Sequence, residues 1–378
     1  MPVMTGLSGN EIYCLHQKGL TPGDLVIGNS VFSLGFFGQL GSGLKTMWGG
    51  EVTQVTSIVH EGRQKSYERV VAEAEKHGGV GVTGVTSELI MHPGNIEFLS
   101  IGSCVHAEGQ RQERLGFSTS ADGQELYCQV DAGFQPVKFV FGNVAYSIGV
   151  GGGLMGGLRS LARGEVQEFS RIFTQTRRLA LDRIATEAAH AGANAVVGIR
   201  TSIIPFQGLQ EMVMVGTASK HPVLPPQFSQ RPVTSDLTNE EMWNLIHIGY
   251  MPVQLVLGVS VYSLGFIGGI TSAFKQLVRG EIPEMTTLIY EARENALEHI
   301  KRDAAAVGAD DVVGVKVYVY ELPGNLLEFM ALGTAVKRMD GLATSTKALP
   351  PQAVIRDKET FINAADRSVG TNLNQKAG

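Results

Sequence analysis

The stretch GNSVFSLGFFGQLGSGLKTMWGGEV, residues 28–52, decides the fold because it occurs twice more along the chain. Residues 142–166 read GNVAYSIGVGGGLMGGLRSLARGEV, and residues 258–282 read GVSVYSLGFIGGITSAFKQLVRGEI. The three stretches align without a gap, and their first residues lie 114 and 116 positions apart. Similarity at a steady period indicates that one structural unit is repeated. The sequence therefore predicts three tandem modules, called repeats 1, 2 and 3.

The alignment extends beyond the glycine-rich stretches in both directions. Upstream, a glycine with a proline three residues later occurs in each repeat, at Gly19, Gly133 and Gly249. Downstream, the segments GGVGVTGV (78–85), GANAVVGI (192–199) and GADDVVGV (308–315) coincide, and repeat 3 gains one residue near Leu322. We therefore place the modules at 1–106, 120–220 and 236–339. The remaining residues, 340–378, are expected to form a C-terminal extension that is partly disordered.

The overall composition predicts a folded protein without a strong surface charge. The chain has 378 residues, of which 43% are hydrophobic and 18% charged, and its net charge is −5. A protein without a basic field has little affinity for nucleic acid, so we expect no nucleic-acid partner. Three cysteines are too few for a disulfide framework, and the first residues lack a signal-peptide pattern. We expect a cytoplasmic location.

Each repeat is predicted to contain a short helix, a strand, the glycine-rich stretch, a long amphipathic helix and a hairpin. Glu11 follows Ser8 by three residues and Glu241 follows Thr238 by three, which is the spacing of a capping box; repeat 2 has Ala121 before its helix. The strands are expected at three short apolar runs, residues 25–27, 139–141 and 255–257. Gly78, Gly192 and Gly308 are expected to end the long helices.

These elements predict an α+β fold in which each module has a small antiparallel sheet of three strands packed on one long helix. A sheet of three strands has two open edges and rarely stands alone. We therefore expect the three modules to cover one another around a pseudo-threefold axis, or to form an arc that other chains complete into a ring.

The glycine-rich stretches allow three interpretations. Residues 31–50 contain one charged residue, Lys45, and they are long enough to span a bilayer. The stretch could be a helix or a tight loop with small residues buried between modules, a peripheral membrane contact, or an exposed functional loop. Because glycine permits close backbone packing, we favour a buried interface and name Gly35, Gly149 and Gly265 as equivalent candidates.

Metal ligands are sparse in this sequence. Cys14 and Cys128 occupy equivalent positions, but repeat 3 has Asn244 there. Soft-metal sites need thiolates or imidazoles at fixed spacing, and there is no Cys-x-x-Cys or His-x₃-His pattern. The two cysteines are only weak metal candidates, and we interpret them as small buried hydrophobic residues. We expect no metal and no cofactor.

A charged pair recurs in each repeat. Its members are Glu51 and Arg63 in repeat 1, Glu165 and Arg177 in repeat 2, and Glu281 and Arg293 in repeat 3. A catalytic acid or base would need a carboxylate with a shifted pKa in a pocket. We favour the alternative that the glutamate lies at the start of the long helix and the arginine makes an ion pair between modules. The chain has no nucleophile elbow, Walker loop or zinc-protease motif, so we expect no enzyme.

Two segments resemble a known family. GANAVVG (192–198) and GADDVVG (308–314), each followed by a strand that contains Gly-Thr-Ala (216–218 and 333–335), are similar to the YbjQ family, also called UPF0145 or "putative heavy-metal-binding". Arg63, Arg177 and Arg293 lie where that family has an arginine in its helix. Repeat 1 departs from the pattern, with GGVGVTG (78–84) and Gly-Ser-Cys (102–104). The resemblance implies a self-associating α+β module, since family members are usually single modules that form rings, and it implies no activity.

The sequence thus predicts a non-enzymatic oligomeric scaffold or binding protein made of three fused, self-associating modules. Its expected partners are further copies of the chain and a protein of unknown identity, and peripheral membrane contact stays open. The alternative is a protein that sequesters heavy metals or small ligands at the interfaces between modules. Because repeat 1 is divergent, we expect it to have a separate role such as partner binding.

Overall fold

The computed structural model describes residues 2–35, 50–109, 113–147, 164–206, 208–263, 283–322 and 326–356. The elements of repeat 1 are α1 (Gly9–His16), β1 (Leu20–Ser33), β2 (Gly50–Glu51), α2 (Thr53–Lys76), β3 (Gly81–Thr83), β4 (Glu88–His92) and β5 (Asn95–Ala107). Those of repeat 2 are β6 (Phe117–Ser118), α3 (Gly123–Asp131), β7 (Gln135–Ser147), β8 (Gly164–Glu165), α4 (Gln167–His190), β9 (Ala195–Phe206) and β10 (Leu209–Lys220).

Repeat 3 follows after a 3-10 helix, Pro226–Ser229. Its elements are β11 (Val233–Thr234), α5 (Asn239–His247), β12 (Tyr250–Ser263), α6 (Pro283–Ala306), β13 (Asp311–Leu322) and β14 (Leu326–Arg338), and the extension adds α7 (Pro351–Val354). Each repeat has a short helix, a long strand, a long helix and a closing hairpin in that order, which confirms the predicted α+β class and the tandem architecture.

The sheets are larger than the three strands predicted, because adjacent segments add short strands to them. The strand orders are β1-β5-β3-β6 with β4 paired to β5, then β11-β9-β10-β7-β2, and β13-β14-β12-β8. β2 of repeat 1 pairs antiparallel with β7 of repeat 2, and β8 of repeat 2 pairs antiparallel with β12 of repeat 3. Each repeat therefore contributes backbone hydrogen bonds to the sheet of the next.

The first strand of each repeat is much longer than the apolar run that predicted it. β1 continues through Gly28 to Ser33, so the first residues of the glycine-rich stretch are strand rather than loop or helix. A Cβ atom on Gly28 would lie 2.0 Å from the backbone oxygen of Ser66 in α2. Gly142 and Gly258 show the same approach, at 2.2 and 2.0 Å from backbone oxygens of α4 and α6. Glycine is required there because the long helix crosses the strand at backbone contact.

Local signals at the helix ends agree with the sequence, with one correction. Capping boxes are present at Ser8 with Glu11 and at Thr238 with Glu241. Repeat 2 also has one, in which Asp122, not Ala121, is the N-cap and Glu125 the third helical residue. The three glycines that follow the long helices have φ angles of 69°, 72° and 65°, as expected of residues that end helices. These residues are Gly78, Gly192 and Gly308.

The apolar core is continuous from one repeat to the next. One cluster joins Tyr67 and Val70 of α2 to Phe139 and Phe141 of β7. A second joins Phe173 and other residues of α4 to the apolar face of β12. The long helix thus covers its own sheet and the first strand of the following repeat.

The C-terminal extension is packed as far as it is described. Leu342, Leu349 and Ala353 join a cluster that includes Cys14, Cys128 and residues of α5. α7 packs against α1 and α3. The extension therefore ties the short helices of the repeats together up to residue 356, and the predicted disorder of its last part lies outside the described residues.

Candidate functional site

The surfaces with the most buried charge are the two seams between repeats. At the first seam, α2 of repeat 1 packs on β7 of repeat 2, and at the second, α4 of repeat 2 packs on β12 of repeat 3. Both are assembled from the same positions in the repeat, because the helix of one module lies over the first strand of the next. The arginines singled out in the sequence lie on these helices.

Arg63 joins repeats 1 and 2 through a fully buried ion pair. Its Nε donates to Glu211 Oε1 at 3.0 Å and its Nη2 to Oε2 at 2.6 Å, with both side chains inaccessible to solvent. Its Nη1 donates to the backbone oxygen and the hydroxyl of Ser87 at 2.9 and 3.0 Å. This bidentate geometry, with the third nitrogen also bonded, is the arrangement that makes a buried pair tolerable.

Arg177 occupies the equivalent position at the second seam with fewer hydrogen bonds. Its Nη2 donates to both carboxylate oxygens of Glu328, at 2.9 and 3.0 Å. Nε and Nη1 have no acceptor among the described residues, and the guanidinium lies over the rings of Tyr146 and Phe173 at 4.6 and 5.4 Å. Burial by itself lowers the pKa of Arg177, but the Glu328 carboxylate raises it above the ordinary value. The guanidinium of Arg177 therefore stays charged.

The glutamates named with these arginines in the sequence have other partners. Glu51 lies just before the first residue of α2 and pairs with Arg183 of repeat 2 at 2.8 Å. Glu165 precedes α4 in the same way and accepts a hydrogen bond from Ser170 at 3.0 Å. Neither bonds to the arginine twelve residues later, because that arginine reaches the next repeat. Arg293 is exposed on α6, and Glu281 lies outside the described residues.

Sequence reasoning missed the carboxylates that the buried arginines bind. Glu211 and Glu328 lie in β10 and β14, opposite Ala145 and Val261 of the neighbouring strands. A glutamate stands in an otherwise apolar strand of each repeat, in NIEFLSIG (95–102), LQEMVMVG (209–216) and LLEFMALG (326–333). A recurring charge in an apolar strand was the available signal, since buried carboxylates need a partner.

A groove open to solvent lies beside the second seam. Its volume is about 420 Å³, and its lining includes Glu165, Arg171, Arg178 and His299. Burial lowers the pKa of His299, and the neighbouring arginines act in the same direction. At the first seam, Arg183 stands at the position equivalent to His299 and bridges to Glu51. The longer side chain reaches across the first seam to Glu51.

The cysteines are brought together but are poor metal ligands in this state. Cys14 and Cys128 are fully buried in one apolar cluster. Burial raises the pKa of Cys14 to about 11, and burial raises the pKa of Cys128 further. Metals bind the thiolate, whereas these thiols are protonated at neutral pH. Among the described residues, no group of three or more His, Cys, Asp or Glu side chains could hold a metal ion.

A buried carboxylate joins all three repeats at the end of the molecule where the short helices lie. Asp131 of α3 accepts hydrogen bonds from Lys18 of repeat 1 and Trp243 of repeat 3, both at 2.7 Å. Thr346 of the extension donates to it through its backbone nitrogen and hydroxyl, at 3.1 and 2.8 Å. Burial alone would raise the pKa of Asp131, but these hydrogen bonds hold it below the ordinary value. The carboxylate therefore fixes the relative position of the repeats.

The middle parts of the glycine-rich stretches lie outside the described residues. Gly35 is exposed just after β1, while Gly149 and Gly265 lie outside the described residues, so the membrane and interface interpretations of these stretches are not tested. Within the described part of the chain, no helix combines the length and apolar composition needed to cross a bilayer.

Comparison with known proteins gives a consistent result. Residues 20–107, 134–221 and 249–339 each match the YbjQ_1 family, whose description is "Putative heavy-metal-binding". A Mycobacterium tuberculosis protein named "Encapsulin nanocompartment protein Rv1762c" is 32% identical over 206 residues, which are 52% of this chain and 76% of that protein. UPF0145 proteins of Vibrio campbellii and Sulfurisphaera tokodaii are 42% and 40% identical over 82 and 91 residues. These cover 21% and 23% of this chain and 79% and 80% of the relatives.

Proposed function

The chain belongs to the YbjQ_1 family, with three family repeats in one polypeptide, and from this premise we propose that it is a non-enzymatic, self-assembling scaffold. The modules at 1–106, 120–220 and 236–339 are the assembling units. The fusion brings three of them together without the entropy cost of associating separate chains.

The observation that carries this proposal is the pair of seams. At each, an arginine of one repeat is fully buried against a glutamate of the next, Arg63 with Glu211 and Arg177 with Glu328. A buried charge is tolerated only when its partner is in place, so the helix face of a module is suited to another module and unsuited to water. Because the buried arginines and glutamates of the modules are used for contacts between modules, we interpret the module as a structural unit.

The relative from Mycobacterium tuberculosis supports the same proposal. Its name assigns it to an encapsulin nanocompartment, and it shares 206 aligned residues with this chain. We extend that association and propose that this chain also takes part in a protein assembly inside the cytoplasm.

Native mass spectrometry of untagged protein purified from its own source tests the proposal. We expect a defined assembly whose mass is a whole multiple of the 40.5 kDa chain. A single chain at all accessible concentrations would contradict the scaffold. An excess mass that matches one bound metal or small molecule per repeat would favour a sequestering protein.

One observation favours a second candidate, which is binding of a small ligand at the second seam. The groove there is lined by Arg171, Arg178, His299 and Glu165; because Arg178 is already paired with Asp303, Arg171 is the side chain that would bind a small anion. Titration calorimetry with inorganic phosphate and with citrate checks it, and Arg171→Ala is the matched variant. Binding that survives Arg171→Ala would place the ligand elsewhere. The described residues offer no comparable observation for a heavy metal.

A further inference from the structure

The first strand of repeat 1 has an exposed apolar face that is covered in the other repeats. Ile27 and Val31 of β1 are 49% and 58% exposed, and Leu25 is also exposed. The residues at the same positions in β7 and β12 are at most 1% exposed, and these are Phe139, Phe141, Ala145, Leu255, Leu257 and Val261. The long helix of the preceding repeat covers β7 and β12, whereas the described residues place no helix of another repeat over the same face of β1. We call this surface of β1 and β5 the leading face.

The leading face also contains a glutamate, Glu97, at the position of the buried glutamates of the two seams. Val31 lies opposite Glu97 in the β1–β5 pairing, as Ala145 lies opposite Glu211 and Val261 opposite Glu328. Glu211 and Glu328 are buried against arginines of the preceding repeat. Glu97 is 18% exposed and bonds to Asn29 and His92 of its own repeat. It stands where a seam glutamate would stand, and its arginine is missing.

The other end of the chain presents the complementary surface. Arg293 of α6 occupies the position of Arg63 and Arg177 but is exposed. Val315 of β13 is 45% exposed, whereas its equivalents Val85 and Ile199 are buried in the clusters that cross the two seams. Tyr290, at the position where His60 contacts Phe141 across the first seam, is 63% exposed. We call this surface of α6 and β13 the trailing face.

We propose that the trailing face of one molecule binds the leading face of a second copy of the chain and so forms a third seam, with Arg293 of one molecule paired to Glu97 of the next. This inference rests on the proposed scaffold function and specifies which surface it uses. The interface continues the two internal seams with the same positions of the repeat, which is why a second copy fits better than an unrelated partner. Because the two surfaces differ, the contact is heterologous and generates a closed ring or an open array.

A pair of variants, each with one face blocked, tests the inference. Val315→Glu puts a charge in the trailing face and Ile27→Glu puts one in the leading face. Both residues are exposed in the single chain, so folding should be unchanged, and circular dichroism checks it. Each variant alone should lose association by on the order of 100-fold and run as a single 40.5 kDa chain. Mixed together, they retain one good face each and should form a 1:1 pair and nothing larger.

A control variant and a charge exchange distinguish failure of this inference from failure of the scaffold proposal. Leu179→Glu makes the same change at an exposed residue of the middle repeat and should assemble like the wild type. Arg293→Glu should weaken assembly, and adding Glu97→Arg to it should restore assembly. If the wild type assembles but Val315→Glu and Ile27→Glu assemble equally well, the inference is wrong and the scaffold proposal stands. If the wild type itself is a single chain, both are wrong.

Discussion

The two internal seams use the same positions of the repeat and yet differ in how well their central arginine is satisfied. At the first seam, all three nitrogens of Arg63 donate hydrogen bonds, to Glu211 and to Ser87. At the second, only Nη2 of Arg177 does so, and Thr201, which stands in place of Ser87, has a buried hydroxyl without a partner among the described residues. The repeat thus fixes which charges meet, while single neighbouring residues determine how many hydrogen bonds they make.

The solvent-exposed edges of the two seams, called their rims, also differ. The first has the ion pair between Arg183 and Glu51, whereas the second has the shorter His299 beside an open groove. In compensation, Arg177 lies on the faces of Tyr146 and Phe173, and cation–π contacts of this kind contribute about 1–2 kcal/mol when desolvated. Both seams bind their arginine to a glutamate; the first adds hydrogen bonds to Ser87, and the second adds the closer ring contacts.

The largest expected effect comes from removing one central arginine at a time. Arg63→Met leaves Glu211 buried and unpaired, which should reduce the free energy of unfolding by about 3–5 kcal/mol. Arg177→Met should cost less than Arg63→Met by about 1 kcal/mol or less, because it removes two buried donors without acceptors but also loses the ring contacts, which offset part of that gain. Urea denaturation of both variants measures the difference. A larger loss for Arg177→Met would show that the ring contacts outweigh the cost of the unpaired donors.

These central pairs mark the limit of what the sequence could predict. Helix ends were predictable because Ser8, Thr238 and Gly78 act on residues within one turn of the helix. The partner of Arg63 lies 148 residues away in another repeat, and no local spacing specifies such a contact.

The extent of the first strand was missed for a related reason. Glycine is depleted in strands, so the sequence predicts that the strand ends before Gly28, whereas the crossing helix requires a glycine within the strand there. The N-cap of repeat 2 is Asp122 rather than Ala121, and its spacing to Glu125 is the same three residues that mark the caps of the other two repeats. The sequence therefore predicted the module well, and the contacts between modules poorly.

A smaller effect is expected at Asp131, which lies outside both seams and joins the three repeats. Asp131→Asn weakens charge-assisted hydrogen bonds to Lys18, Trp243 and Thr346, which should cost about 2 kcal/mol at neutral pH. The folded pKa of Asp131 lies below its ordinary value of 3.8, so its contribution is full above that value and is lost as the pH falls through the folded pKa.

Urea denaturation from neutral pH down to acid pH checks this dependence on Asp131. The gap between wild type and Asp131→Asn should close only below the ordinary carboxyl pKa. Asp303→Asn is the control, because Asp303 forms a more exposed ion pair with Arg178 and should cost well under 1 kcal/mol. A gap that stays constant down to the acid limit would mean that Asp131 acts through its shape and not its charge.

The smallest effect is expected when His299 of the second seam is replaced by the arginine that the first seam has at the equivalent position. His299→Arg places at the groove the residue that repeat 2 has at Arg183, so that it can reach Glu165 as Arg183 reaches Glu51. A partly exposed pair contributes about 0.2–1 kcal/mol, which should raise Tm by roughly 1 °C. Differential scanning calorimetry measures it against His190→Arg, an exposed change at the end of α4.

His299→Arg also tests whether the groove is a binding site for a small anion or only the space left by a shorter side chain. If the groove is only the space left by a shorter side chain, His299→Arg stabilises the seam and phosphate binding is absent before and after the change. If the groove is a built site for a small anion, His299→Arg fills it, and the binding seen with the wild type disappears while Tm still rises. A fall in Tm would contradict both, because it would mean that the second seam cannot accommodate the ion pair that the first seam has.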